Sequence, residues 1–359
     1  MPASNQPKTY QLVETLLQQP LANGDVHCNL CLWRCRLRHG QRGFCQAHVN
    51  RNGKLYNLSY GIISAIEIES ILNKPVYHYR PQSRVMSIGS YGCNFRCKGC
   101  HNLEISWGVD ALDKLARGQS SEAYATPEQI VKTALKHEVD GIAFTYSEPA
   151  VWLEYVLDVS RLAHAAGLFT VYVSNSFVTD EALEVMAPHI DVLCSDIKSL
   201  SPEFYQDICP VSTIDQVLGS IRKAAELGIH VETRTNVIPT KNDNPEELKG
   251  IAEWIHDNLG ADSPWHVTRF FPAYRLAHLP ATDTAVIDAA AAAGRAAGLR
   301  NVYAHTDISC DCATDNTPVS AWLELDPDAL DEINKCAANC CGDDGILVKK
   351  FEREAGLLT

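Results

Sequence analysis

From about residue 83 the chain alternates short apolar runs with longer segments whose apolar residues recur every three or four positions. That rhythm predicts strands followed by amphipathic helices. The runs place strands at Arg84 to Gly89, Gly141 to Tyr146, Phe169 to Ser174, Val192 to Asp196, Val231 to Asn236 and His266 to Phe270. Helix starts between them carry chemical marks. Thr126-Pro127-Glu128-Gln129 sets an N-cap threonine before a proline suited to a first helical turn, with Gln129 at the capping-box position. Ser201-Pro202-Glu203 and Asn244-Pro245-Glu246-Glu247 repeat the device. Gly167, Gly228 and Gly298 each stand between a helical pattern and a strand, where a left-handed residue ends a helix. Strands alternating with helices predict an α/β fold with a parallel sheet and helices outside it. Six such units fit a partial (β/α)6 barrel; the periodicity alone suits a doubly wound open sheet equally well.

Ahead of this core the pattern changes. Leu55, Leu58, Ile62, Ile63, Ala65, Glu67 and Ile68 tend to alternate with polar positions, which predicts a short β connection. Lys74-Pro75-Val76-Tyr77-His78-Tyr79 then leads into the first core strand, with His78 read as a packed or hydrogen-bonded histidine. The expected division is a cysteine-rich N-terminal region with its β connection (1–82), a core (83–305) and a cysteine-rich C-terminal extension (306–359).

Composition narrows the class. Among 359 residues, 46% are hydrophobic and 21% charged, ordinary for a globular protein. No apolar run reaches the length of a membrane-spanning helix, and Met1 to Pro20 lacks the basic-then-apolar order of a signal peptide. A cytoplasmic protein without membrane contact is the expectation. In that reducing compartment fourteen cysteines point to metal or redox chemistry rather than disulfides. The net charge of −13 argues against a general nucleic-acid surface.

The cysteines fall into three groups. Cys93, Cys97 and Cys100 follow the apolar run Val85 to Gly89, with three and then two residues between them. Three thiolates on one turn can grip three irons of a [4Fe–4S] cube, which normally takes four cysteine ligands. The fourth iron then stays open to a small molecule, as in catalytic rather than structural metal sites. A zinc knuckle would want a second C-x2-C pair nearby, and simple packing gives no reason for the spacing. A second group, Cys28, Cys31, Cys35 and Cys45, lies among Arg34, Arg36, Arg38, Arg42, Arg51 and Lys54 with no acidic residue between. Four thiolates on Zn²⁺ or on an oxidised cube leave about −2, which such cations would offset. A local nucleic-acid patch is the competing use of this basic run. The third group is Cys310, Cys312, Cys336, Cys340 and Cys341, around the acidic stretch Glu324 to Asp331. It reads as a metal site drawing on some of the five, either an auxiliary Fe–S cluster or zinc, or as a redox-active thiol. Cys194 and Cys209 sit in core-like sequence and read as packing residues.

The order C-x2-C-x3-C…C, G-C-N-F-R-C-x-G-C-H-N, T-Y-S-E-P, D-I-K and R-F-F-P-A-Y, over roughly residues 25 to 305, resembles the radical S-adenosylmethionine (SAM) superfamily. Within it the chain is similar to the AmmeMemoRadiSam-system radical SAM enzymes, themselves similar to activases of pyruvate formate-lyase. The tail departs from those relatives, which tend to end in a simple C-P-x-C-G pair that Cys340-Cys341-Gly342 only partly echoes.

The resemblance implies a partial (β/α)6 TIM-like radical SAM barrel and a [4Fe–4S] cluster whose open iron is chelated by SAM. Reductive cleavage of SAM then gives a 5′-deoxyadenosyl radical that abstracts hydrogen from a small-molecule, peptide or protein substrate. It also implies an electron donor such as a flavodoxin or ferredoxin. In such barrels the working groups cluster at the C-terminal ends of strands. By position, Ser147 and Glu148 then meet the methionine ammonium, while Ser174 and Asn175 meet the ribose or carboxylate. Asp196 and Lys198 match the D-x-K with which glycyl-radical-enzyme activases contact SAM; a structural ion pair is the other reading of the two charges. Glu232, Arg234 and Asn236 share one face of the next strand, with Arg234 and Asn236 nearest its end. Arg269 would clamp an anion or close the barrel. No catalytic acid or base is singled out.

Overall fold

The computed structural model describes residues 12–107, 109–116, 124–211 and 214–306. The tail cysteines Cys310, Cys312, Cys336, Cys340 and Cys341 lie outside the described residues. The strands in chain order are β1 (Val13–Glu14), β2 (Gln18–Pro20), β3 (Val26–Cys28), β4 (Arg36–Leu37), β5 (His48–Arg51), β6 (Lys54–Asn57), β7 (Ala65–Ser70), β8 (Arg84–Gly89), β9 (Gly141–Phe144), β10 (Phe169–Ser174), β11 (Val192–Asp196), β12 (His230–Val237), β13 (Trp265–Arg269) and β14 (Val302–His305). The first six make two small antiparallel sheets, ordered β1-β6-β5 and β2-β3-β4. The other eight make one sheet ordered β14-β13-β12-β11-β10-β9-β8-β7.

Strands β8 to β14 run parallel in strict chain order, each pair joined through helix on the outside. The result is a partial TIM-like barrel. One face of the sheet packs on the helices through Met86, Ile88, Ile142, Phe144, Tyr172 and Leu193. The other encloses a smaller cluster of Ile71, Val76, Val85, Ala143, Phe169, Val171, Val192 and Cys194. Parallel strands buried on both faces need such continuous apolar runs.

The helix signals act as read. Thr126 and Gln129 form a reciprocal capping box on helix Pro127–Lys136. Ser201 and Asn244 cap Pro202–Ile208 and Pro245–Leu259 through their side chains. Gly167, Gly228 and Gly298 have φ of +79°, +87° and +100°, the left-handed region that costs glycine no Cβ clash.

Two differences from expectation have physical causes. The parallel array contains a seventh strand, β14, whose Val302, Tyr303 and His305 are half-buried and Ala304 exposed. An edge strand of mixed polarity leaves no apolar run to read. The β connection is also more than a link, since β7 pairs antiparallel with β8 from Ala65↔Gly89 to Ser70↔Arg84. A third detail is that β9 stops at Phe144, because Tyr146 turns into the left-handed region at φ +70°.

Candidate active site

β8 delivers the chain into the loop Ser90–Asn102, which is pinned from several sides. Gly92 N–H donates to Ile105 O at 2.9 Å and Lys98 N–H to Ile208 O at 2.9 Å. Asn94, fully buried, donates from Nδ2 to Phe177 O at 3.0 Å and accepts Asn175 Nδ2 on Oδ1 at 2.8 Å. Cys93, Cys97 and Cys100 therefore come from a loop held in place by backbone and side-chain hydrogen bonds to other segments. Burial pushes the Cys93 thiol up and the Cys100 thiol to about 11. These thiols become favourable thiolates when a cationic metal centre offsets the desolvation. Cys97 is held low, first by its hydrogen bond with the Cys209 thiol 3.7 Å away and also by the charge of Lys198. Three thiols of this kind on one strand-end loop fit a cube with one iron left open.

The predicted SAM-contacting residues separate into three sets. Ser147, Glu148, Ser174 and Asn175 come together. Glu148, 2% exposed, accepts Ser174 Oγ at 2.8 Å, Asn175 N–H at 2.9 Å and Ala150 N–H at 3.1 Å. Burial pushes its carboxyl up to about 7 against those hydrogen bonds. Ser147 Oγ donates to Ser90 O at 2.7 Å, tying the end of β9 to the cysteine loop. These four thus brace the strand ends around the loop.

Asp196, Lys198 and Arg234 form an ion triad. Asp196 Oδ1 accepts Arg234 Nε at 2.7 Å and Oδ2 accepts Lys198 Nζ at 2.6 Å. Burial raises the Asp196 carboxyl, but the two cations outweigh it and hold it below its ordinary value. The register explains the meeting, since Asp196 on β11 stands opposite Arg234 on β12. One carboxylate shared by two cations leaves a net positive edge beside Cys97, suited to the carboxylate of an amino acid.

Asn236 stands apart, with Nδ2 donating to Arg269 O at 2.7 Å and so locking β12 to the end of β13. Arg269 closes the barrel rather than offering a clamp: its Nε donates to Thr282 O at 2.8 Å. His78 is hydrogen-bonded as expected, Nε2 lying 2.6 Å from the Tyr303 hydroxyl.

Cys28, Cys31, Cys35 and Cys45 line one pocket together with Trp33, Phe44 and His48. The basic run around them behaves differently from expectation. Arg34 pairs with Glu181, Arg36 with Asp25, Arg42 with Asp113 and Lys54 with Glu14. Those cations turn to carboxylates supplied by other segments instead of to the thiols. The cation whose charge reaches Cys45 is Arg96, from the other cysteine loop.

Sequence reasoning missed the residues that join the two cysteine groups. Asn94 carried a signal, being a short polar side chain inside the motif itself. Cys209 packs as expected, 1% exposed, yet its Sγ abuts Cys97. Nothing in spacing over a separation of 112 residues announces that contact.

The model of the radical SAM superfamily matches residues 87–255, which span β8 through the helix after β12. An uncharacterized protein of Methanocaldococcus jannaschii is 34% identical over 81% of this chain and 84% of its own length. The chain belongs to the radical SAM superfamily. It is also 25% identical to the (2S)-3-sulfopropanediol dehydratase activating enzyme of Klebsiella oxytoca, over 46% of this chain and 51% of that one. The pyruvate formate-lyase-activating enzyme of Listeria monocytogenes is 26% identical over 46% of this chain and 66% of its own. Against the named activating enzymes the match therefore spans one half to two thirds of their length. Each of those two matches covers 46% of this radical SAM protein. Among the described residues no helix is long and apolar enough to cross a membrane.

Proposed function

We propose that this chain is a radical SAM enzyme in which Cys93, Cys97 and Cys100 hold the catalytic [4Fe–4S] cluster. The supporting observation is the junction at Cys97, where the cysteine loop meets the Asp196–Lys198–Arg234 triad at the C-terminal ends of parallel strands. When bound, the cluster and SAM supply a 5′-deoxyadenosyl radical able to abstract hydrogen. The chain's residues provide position and charge. The Asn94–Asn175 pair and the Ser147–Ser90 bond fix the loop against β9 and β10. Lys198 and Arg234 attract the SAM carboxylate, and the strand-end groups around Glu148 receive its ammonium and ribose. The half-buried setting of the three thiols limits the access of water, which lengthens the life of a reactive species. A flavodoxin or ferredoxin in the cytoplasm supplies the electron.

The anaerobically reconstituted, dithionite-reduced protein is expected to convert SAM to 5′-deoxyadenosine and methionine, and Cys97→Ala to make neither. A fully iron-loaded natural chain that leaves SAM intact would sink the proposal. A second reading, activation of a glycyl-radical enzyme, is favoured by the D-x-K triad and by the names of the activating enzymes above. Hydrogen then comes from a protein backbone. Deuterium transfer into 5′-deoxyadenosine from a labelled glycine-containing peptide separates it from a small-molecule substrate, which leaves the peptide's deuterium in place.

A further inference from the structure

The pocket lined by Cys28, Cys31, Cys35 and Cys45 has no part in the reaction just described, yet it is built like a metal site. Its four thiols come from three pieces of backbone: the end of β3, the turn before β4 and the segment before β5. Three of the four are buried and Cys35 is half-buried. Cys35 and Cys45 come together over Gly43, where a Cβ would meet Cys45 Sγ at 3.7 Å and Cys35 Sγ at 3.9 Å. His48 lines the same pocket and is 1% exposed. Its Nδ1 lies 3.5 Å from Cys45 Sγ, and its Nε2 is buried with no hydrogen-bond partner. Buried polar nitrogens are rarely left so, and an orphan beside four thiols points to something that occupies the pocket.

We infer that these four cysteines hold an auxiliary iron–sulfur cluster seated directly against the catalytic loop. Its nature follows from the spacing. Thiolates gripping one zinc ion stand about 2.3 Å from it and leave no room between them. Here the residues border a void wide enough for a water-sized sphere. Among the described residues no three His, Cys, Asp or Glu side chains converge on a single ion, which holds equally for Cys93, Cys97 and Cys100. Four cysteines that line one small void, with no three of them converging on a single ion, suit a cube. Four thiolates close its coordination, so this cluster has no iron open to SAM.

The contact between the two loops is direct. Trp33, between Cys31 and Cys35, donates its indole N–H to Asn94 O at 2.8 Å. Phe44, beside Cys45, stacks on Trp33 with centroids 4.3 Å apart, and its carbonyl accepts Arg96 Nη2 at 2.7 Å. Gly92 has φ +103°, and a Cβ there would meet Cys45 O at 2.9 Å, so only glycine admits this approach.

The test counts iron in the full-length chain. In a variant with Cys93, Cys97 and Cys100 changed to Ala and all five tail cysteines to Ser, anaerobic reconstitution is expected to leave about four irons and four sulfides per chain. Adding Cys28→Ser and Cys45→Ser removes them. In the otherwise natural chain, Cys45→Ser alone is expected to lower the count by about four. An unchanged count there, an iron-free first variant with intact circular dichroism, or stoichiometric zinc in place of iron would overturn the inference. Because the first variant lacks the catalytic thiols, its iron count is independent of whether the enzyme cleaves SAM.

Discussion

The two cysteine groups face each other across one interface and differ by one thiol. The loop proposed as catalytic offers three, spaced along a strand-end turn, and places beside Cys97 a triad carrying one carboxylate and two cations. The N-terminal pocket offers four and surrounds them with apolar and aromatic walls from Leu30, Trp33, Phe44, Ala150 and Val151. An amino-acid ligand has charged groups to meet at the first site, whereas no Asp, Glu, Lys or Arg lines the second. The number of thiols sets whether a cluster has an open iron, and the polar surroundings set whether SAM can use it. The two criteria agree here for both sites.

Cys97→Ala should break the comparison most severely. It leaves two thiols and lowers 5′-deoxyadenosine formation by more than about 100-fold, since even residues supporting a ligand are worth 10–100-fold. A product assay after reconstitution reads this directly.

Asp196→Asn comes next. It strips the shared carboxylate from Lys198 and Arg234, leaving two partly buried cations facing each other, at a cost of about 1–3 kcal/mol. A rise in the KM for SAM and a lower melting temperature are both expected. An unchanged KM would remove the triad from the SAM site.

Gly92→Ala probes the interface itself. A Cβ forced into the left-handed region, and against Cys45 O, costs about 1–2 kcal/mol from the backbone alone. Iron content should fall at both sites together, whereas two independent sites would lose iron singly. Trp33→Phe is milder, since it keeps the stacked ring and removes only the indole donor to Asn94, about 0.5–1.5 kcal/mol. The electron paramagnetic resonance line of the catalytic cluster should broaden while its iron stays.

The smallest effect lies away from both sites and serves as a control. Glu232 is buried, which raises its carboxyl, yet bonds from His230, His266 and the N–H groups of Tyr77 and His78 outweigh this and hold it at about 2. Burial holds His305 down to about 4. Both groups bind fewer protons folded than unfolded, so stability present above pH 6.5 is lost as pH falls. The His305 part goes between about 6.5 and 4, the Glu232 part between about 4.5 and 2. The melting temperature should drop by a few degrees from pH 6.5 to 4, and His305→Asn should flatten that segment.

What could be read beforehand follows from range. Caps, helix-ending glycines and apolar runs act over a few residues, so Thr126, Ser201, Asn244, Gly167, Gly228 and Gly298 were legible. The cysteine spacings were legible for the same reason. The antiparallel partner β7 and the edge strand β14 were not, because their pairing depends on neighbours supplied by the whole sheet. Nor were Trp33 on Asn94, Arg96 on Phe44 or Cys209 against Cys97, contacts made across 61, 52 and 112 residues. The basic run illustrates the limit best. Six cations among four thiols suggested local charge balance, but Glu181, Asp25, Asp113 and Glu14 claim four of them.

The most direct measurement records the electron paramagnetic resonance spectrum of the reduced protein with and without SAM, in two backgrounds. With Cys28 and Cys45 changed to Ser, the remaining catalytic cluster should shift its spectrum when SAM is added. With Cys93, Cys97 and Cys100 changed to Ala and the five tail cysteines to Ser, the auxiliary cluster should give a spectrum that SAM leaves unmoved. A SAM-induced shift in the second background, or none in the first, would contradict the assignment of the open iron to the three-thiol loop.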